Sequence, residues 1–182
     1  MRIHSTLPLV VAVALAGCSS IGGGAKPAAD PAATKTKAAV ATLSPSATGG
    51  PTGLVSFALA GAGVDVHVVA TGLAPGSVHG FHVHEKGNCA SADFTSAGGH
   101  FNPENHPHGP QSGEHHMGDM PNLLADPQGN IDTRFTLAGV TLSGANGIVD
   151  RAVIVHAGPD DYATQPTGNS GGRIACGVIA AQ

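Results

Sequence analysis

The chain has no tryptophan, one tyrosine and five phenylalanines among 182 residues. A core built from it must therefore be packed with aliphatic side chains. Charge is scarce as well, at 11% of residues, against about 25% in ordinary soluble domains. Eight Lys and Arg stand against twelve Asp and Glu, which excludes the basic footprint of a nucleic-acid binder. Hydrophobic residues make up 41% of the chain, too many for intrinsic disorder, which requires low hydrophobicity and high net charge. No apolar run reaches the ~20 residues of a membrane-spanning helix. With 27 glycines and 13 prolines, long helices are disfavoured and turn-punctuated strands favoured. Against these shortages stand eleven histidines, and histidine-rich tracts point toward metal.

The N-terminus reads as an export signal. Met1-Arg2 gives a positive start, and Leu7 to Leu15 form a short apolar run, the pattern of a secretory leader over residues 1–17. The cut region, Leu15-Ala16-Gly17-Cys18, resembles a bacterial lipobox, which implies a lipidated Cys18 and a mature protein anchored in the cell envelope, facing the periplasm or the cell surface. Acyl chains hold a membrane by burying methylenes at ~0.8 kcal/mol each. Residues 19–50 are rich in Gly, Ala, Ser, Thr and Pro and read as a flexible tether, although Ala38 to Leu43 could supply a first strand. With Cys18 assigned to the anchor, Cys89 and Cys176 remain, and an even pair in an oxidising compartment is expected to form a disulfide.

Residues 51–182 are long enough for one core. Strand patterns run over 54–59, 64–69, 78–84, 131–137, 152–156 and 174–179, separated by Gly, Pro and Asn turn signals. Many short strands of this kind predict an all-β antiparallel sandwich or barrel. Two irregular stretches, about 85–127 and 157–173, interrupt it, and loops of that length inside a compact domain are usually functional.

Most histidines fall in the first stretch. His82 and His84 are two apart on a predicted strand, so they share a face. His100, His108 and His116 follow, with Asp119 close behind, and His156 ends another strand. Seven candidate ligands exceed what one first-row metal needs, but they suffice for two adjacent sites with one ligand shared. Imidazole suits copper and zinc, and three His with one Asp suit tetrahedral zinc. A solvated His-rich loop that binds metal loosely is the bland alternative.

The blocks Gly80-Phe81-His82-Val83-His84-Glu85, Gly99-His100-Phe101-Asn102-Pro103, His108-Gly109, His116-Met117-Gly118-Asp119, Val155-His156 and Gly172-Arg173-Ile174-Ala175-Cys176-Gly177 resemble the copper/zinc superoxide dismutases, in that family's order and from about residue 51 to 182. Lys86 to Cys89 and Asp119 to Leu123 resemble its exported bacterial branch. The resemblance implies an eight-stranded Greek-key β-barrel, of the immunoglobulin-like sandwich kind, with two long functional loops. It implies copper on His82, His84, His100 and His156, and zinc on His100, His108, His116 and Asp119, one of each metal per subunit, with His100 as the shared histidinate. It further implies Asp160 as the carboxylate linking a copper-site His to a zinc-site His, Arg173 as the guide for the anionic substrate superoxide, and a Cys89–Cys176 disulfide. The implied reaction is dismutation of superoxide, with His100 handling a proton. His115 and His106 are rivals to His116 and His108. The spacing to Gly118-Asp119 favours His116, and the following Gly109 favours His108. His79 reads as structural, hydrogen-bonded to backbone, and His67 as an exposed strand residue. Monomer and homodimer are both compatible with the sequence.

From residue 51 onward, four basic residues face eleven acidic ones. Attraction of a negative substrate must then be local. Lys86, close to the copper strand and the cysteine pair in sequence, is the expected second steering charge beside Arg173.

Overall fold

The computed structural model describes Met1 and residues 36–182. The leader, Cys18 and most of the tether lie outside the described residues.

The fold is all-β. The strands are β1 (Ala38–Pro45), β2 (Thr52–Ala60), β3 (Gly63–Thr71), β4 (Val78–His79), β5 (Phe81–His84), β6 (Leu123–Leu124), β7 (Ile131–Ala138), β8 (Ala152–His156), β9 (Arg173–Val178) and β10 (Ala180–Ala181). Eight of them form one curled antiparallel sheet in the order β5-β8-β9-β1-β2-β3-β7, with β10 paired to β1. β4 pairs with β6 in a small second sheet. Strands distant in sequence become neighbours at β5-β8, β9-β1 and β3-β7, which is the Greek-key signature.

Two expectations need correction. The stretch 19–50 is not all tether: the first strand that Ala38 to Leu43 could supply is present as β1, which pairs with β2 from Ala38↔Ala58 to Leu43↔Gly53. Its alanine-rich composition hides a period-two pattern in which Ala39, Ala41 and Leu43 are buried. The first irregular stretch also ends earlier than about 127, because β6 interrupts it. Two residues are too few to show a periodicity.

The core is aliphatic, as the composition requires. Val55 and Phe57 from β2, Val64, Val66 and Val68 from β3, Phe81 and Val83 from β5, and Val153 and Val155 from β8 meet inside the curl. Burial of each such side chain contributes about 1.5–3 kcal/mol. Alternation then places His82 and His84 of β5, and His156 of β8, on the opposite side of their strands from this core. That outer side is covered by residues 85–122 and 157–172. A second small cluster, Phe94, Ala97, Ala152, Ile154 and Cys176, seals it. Cys89 and Cys176 form a disulfide across 87 residues, tying the first covering loop to β9. A cross-link over a loop of that size is worth about 4–5 kcal/mol in the chain-entropy account.

Candidate metal centre

The histidines are brought together by backbone pairing. Phe101 N–H donates to Val83 O (2.8 Å), Val83 N–H to Gly118 O (2.9 Å) and Gly118 N–H to Phe101 O (2.9 Å). These bonds draw two segments of the long loop onto β5, so that His100 lies opposite His84 and Asp119 opposite His82. His156 ends β8, beside β5, and pairs across a bulge with Arg173 of β9.

Two groups of four result: His82, His84, His100 and His156, and His100, His108, His116 and Asp119. In each, the ligand-capable atoms lie within 4.8 Å of one another, every residue is buried, and His100 belongs to both.

The ring nitrogens are held from one side. His82 Nε2 meets Asp160 Oδ2 at 2.8 Å. His84 Nδ1 meets Gly98 O at 2.9 Å, and His156 Nδ1 meets Gly171 O at 3.2 Å. His108 Nε2 meets Asp160 Oδ1 at 2.9 Å. Each of these rings is held by one nitrogen. The other nitrogen of His82 (Nδ1), His84 (Nε2) and His156 (Nε2) is buried with no hydrogen-bond partner, as is His100 Nε2, whereas His108 Nδ1 faces Asp119 Oδ2. An unpaired buried polar atom costs about 1–3 kcal/mol, so four together would be ruinous unless they bind something. Imidazoles whose second nitrogen is fixed by a carbonyl or carboxylate are the usual form of metal-ligating histidine. In the second group, Asp119 Oδ1 lies 2.8 Å from His100 Nδ1 and 3.3 Å from His116 Nδ1, and Asp119 Oδ2 lies 3.0 Å from His108 Nδ1. Three imidazoles and one carboxylate fit a closed zinc site, and an all-imidazole set fits copper.

Electrostatics agree with this reading. Burial lowers His82, and burial with neighbouring imidazoles lowers His84 to about 2 and His156 to about 3. His100 falls to about 4, again chiefly through burial. These rings are kept neutral, the state in which imidazole binds metal. Burial opposes charge on His108 too, but its bonds to Asp119 and Asp160 outweigh that and push it up to about 9. Asp119 and Asp160 lie well below the ordinary carboxylate range, because hydrogen bonds from the surrounding histidines outweigh their burial.

The remaining sequence-singled residues find separate places. Arg173 donates from Nη1 to Phe94 O (2.6 Å) and from Nη2 to Gly98 O (2.7 Å), so its guanidinium is fixed on the disulfide-tied loop. Its charge is felt by both His84 and His156. Lys86 is exposed, just past β5. His79 bonds His156 O through Nδ1 at 2.7 Å, the structural role expected of it. His67 is half-buried rather than exposed, because its Nε2 reaches Asp132 Oδ1 on β7 at 2.8 Å. His106 and His115 belong to neither group; His106 lies 3.6 Å from Glu104 and His115 bonds Gly113 O.

Several site residues carry no motif. Asn122 exchanges two hydrogen bonds with the Asp160 backbone, both 2.8 Å, and Gln165 does the same with His108, also at 2.8 Å each. Gly168, at φ +66°, backs onto the His108–Asp160 pair; a Cβ there would overlap Asp160 Oδ1 and lie 2.6 Å from His108 Nε2.

Residues 51–179 match the family described as copper/zinc superoxide dismutase. A superoxide dismutase-like protein of Bacillus subtilis is 44% identical over 125 residues, which cover 64% of this chain and 63% of that protein, so the match spans less than two thirds of the relative. A Cu-Zn superoxide dismutase of Aquifex aeolicus is 44% identical over 123 residues, covering 64% of this chain and 72% of that protein. The crystal structure of a SOD-like protein from Bacillus subtilis superposes with a TM-score of 0.69 at 39% identity, covering 76% of this chain and 95% of the other.

Proposed function

The chain belongs to the copper/zinc superoxide dismutase family, and from that premise we propose that it is an exported, lipid-anchored enzyme that dismutes superoxide to dioxygen and hydrogen peroxide, protecting a bacterial cell envelope from superoxide formed outside the cytoplasm. The observation that carries the activity is the set of four buried, unpartnered imidazole nitrogens on His82, His84, His100 and His156, beside a second group that shares His100.

His82, His84, His100 and His156 would hold copper, and His100, His108, His116 and Asp119 would hold zinc. When bound, copper supplies a one-electron couple able to oxidise one superoxide and reduce the next, and zinc supplies a fixed, redox-inert charge. The remaining work falls to the chain. Arg173, fixed through two of its N–H groups, keeps the rest of its fork for a small anion. His100 is anchored at Nδ1 toward Asp119 and free at Nε2, so Nε2 is where a proton is held and given to the reduced substrate. Solvent supplies the second proton, and two superoxides with two protons become one dioxygen and one hydrogen peroxide. Asp160, between His82 and His108, holds one ring of each site in register. Lys86 adds local attraction within a negative domain.

The test is metal content with superoxide dismutation on the purified protein. About one copper and one zinc per chain, with activity lost in His156→Ala, is the expected result. Zinc alone, with no activity after copper loading, would overturn it. Lys86→Gln is expected to lower the second-order rate constant and flatten its salt dependence. For the anchor, labelled fatty acid should enter the wild-type chain and not Cys18→Ser.

A further inference from the structure

Three zinc-site residues are sewn to β5 or to each other. His100 and Asp119 face β5 residues, and His116 is tied to Asp119 through His116 N–H to Asp119 Oδ2 (2.9 Å) and Asp119 N–H to His116 O (2.9 Å). His108 differs. It has no backbone–backbone hydrogen bond among the described residues. Both its main-chain groups go to one side chain: His108 N–H donates to Gln165 Oε1, and Gln165 Nε2 donates to His108 O.

Gln165 lies 57 residues away on the other covering loop and is exposed. That loop carries its own internal bonds. Asp161 Oδ1 accepts from Ala163 and Thr164 N–H, and Gly168 N–H donates to Thr164 O. The neighbouring Asp160 has its own clamp on Asn122, which is further braced by Asn122 N–H donating to the Tyr162 hydroxyl at 2.7 Å. The copper-side ring His82 rests on Asp160, whose main chain is held by Asn122 rather than by Gln165.

We propose that Gln165 is a latch on His108, and that opening this surface latch is the step through which the zinc site exchanges its metal. The proposal rests on the family reading above. Gln165 touches neither metal nor substrate, so it is a positioning residue. It acts by holding the one zinc-site residue whose main chain bonds neither β5 nor another zinc-site residue.

The experiment follows zinc and copper release from metal-loaded protein mixed with an excess of a chromogenic zinc chelator, with copper tracked by its visible absorbance. Gln165→Ala is expected to release zinc roughly 10–100-fold faster, the usual penalty for losing an outer-shell partner, while copper release stays at the wild-type rate. Gln165→Glu should fall between, because a carboxylate still accepts from His108 N–H but cannot donate to His108 O. Gln111→Ala removes a single 3.0 Å bond to Asp119 O, on a ligand already held by β5, and should leave zinc release unchanged. Zinc release in Gln165→Ala at the wild-type rate overturns the latch, as does equal acceleration of copper and zinc, which would mean general loosening. Wild-type protein that holds no zinc overturns the family reading together with the latch.

Discussion

The strands β2, β3 and β7 bury one face and leave the other largely to solvent, with burial that mostly alternates along each strand, whereas β5 and β8 bury every residue they have. The first region is held by apolar contact on one side alone. The second has the same core beneath it and a polar, histidine-filled layer above it, covered by loops. The apolar region needs only the right kind of side chain at every second position. The polar layer needs a specific partner for every nitrogen, because a buried imidazole with no partner is a penalty. The first region should therefore tolerate change wherever it faces solvent, and the second almost nowhere.

His100→Ala should separate the two regions most sharply. It removes the residue common to both groups, so metal analysis should find both sites weakened and activity should fall below about a hundredth, past the roughly 10–100-fold typical of outer-shell changes. The barrel core should survive. In the other direction, Phe57→Ala empties a fully buried core position and should cost about 3–5 kcal/mol of unfolding free energy, read by denaturant titration, with metal stoichiometry intact. Asp160→Asn keeps shape but loses one acceptor of its His82 and His108 pair, and should lower activity or metal affinity roughly 10–100-fold.

Acid should weaken the polar layer of the metal-free protein first. His84, His156 and His100 sit at about 2, 3 and 4 in the fold. Below the ordinary value of 6.5 the unfolded chain takes up protons that the folded chain refuses, so their contribution is present above 6.5 and is lost as pH falls. His108 has the opposite sign: its contribution is full below 6.5 and fades as pH rises through about 9. Thermal unfolding of the metal-free protein should thus show falling stability from pH 6.5 downward. Metal-loaded protein should resist until its ligands protonate. At the small end, Thr136→Val removes only an exposed bond to Asp65 and should shift stability by about 0.5 kcal/mol or less.

Much of this molecule was legible in its residues. Period-two runs such as Val64-Asp65-Val66-His67-Val68 gave β3, and the blocks around His82, His100, His116 and His156 contain residues that the fold gathers into two groups. These signals are local, since a strand's alternation and a ligand's chemistry are contained in a few adjacent residues. The nearly uniform alanine run of β1 and the two-residue β6 were less legible, for want of a period long enough to read.

What the tertiary structure decided is which nitrogen of each histidine is free. That depends on what the other nitrogen meets: Gly98, 14 residues from His84, or Asp160, 78 residues from His82. The clamps of Asn122 on Asp160 and Gln165 on His108 likewise join residues 38 and 57 apart. The sequence by itself offered seven candidate metal ligands on and between strands. Only folding, by returning β8 to β5 and drawing the long loop back onto β5, decided that they gather into two groups that share His100, because a hydrogen bond depends on distance in space and leaves no period in the chain.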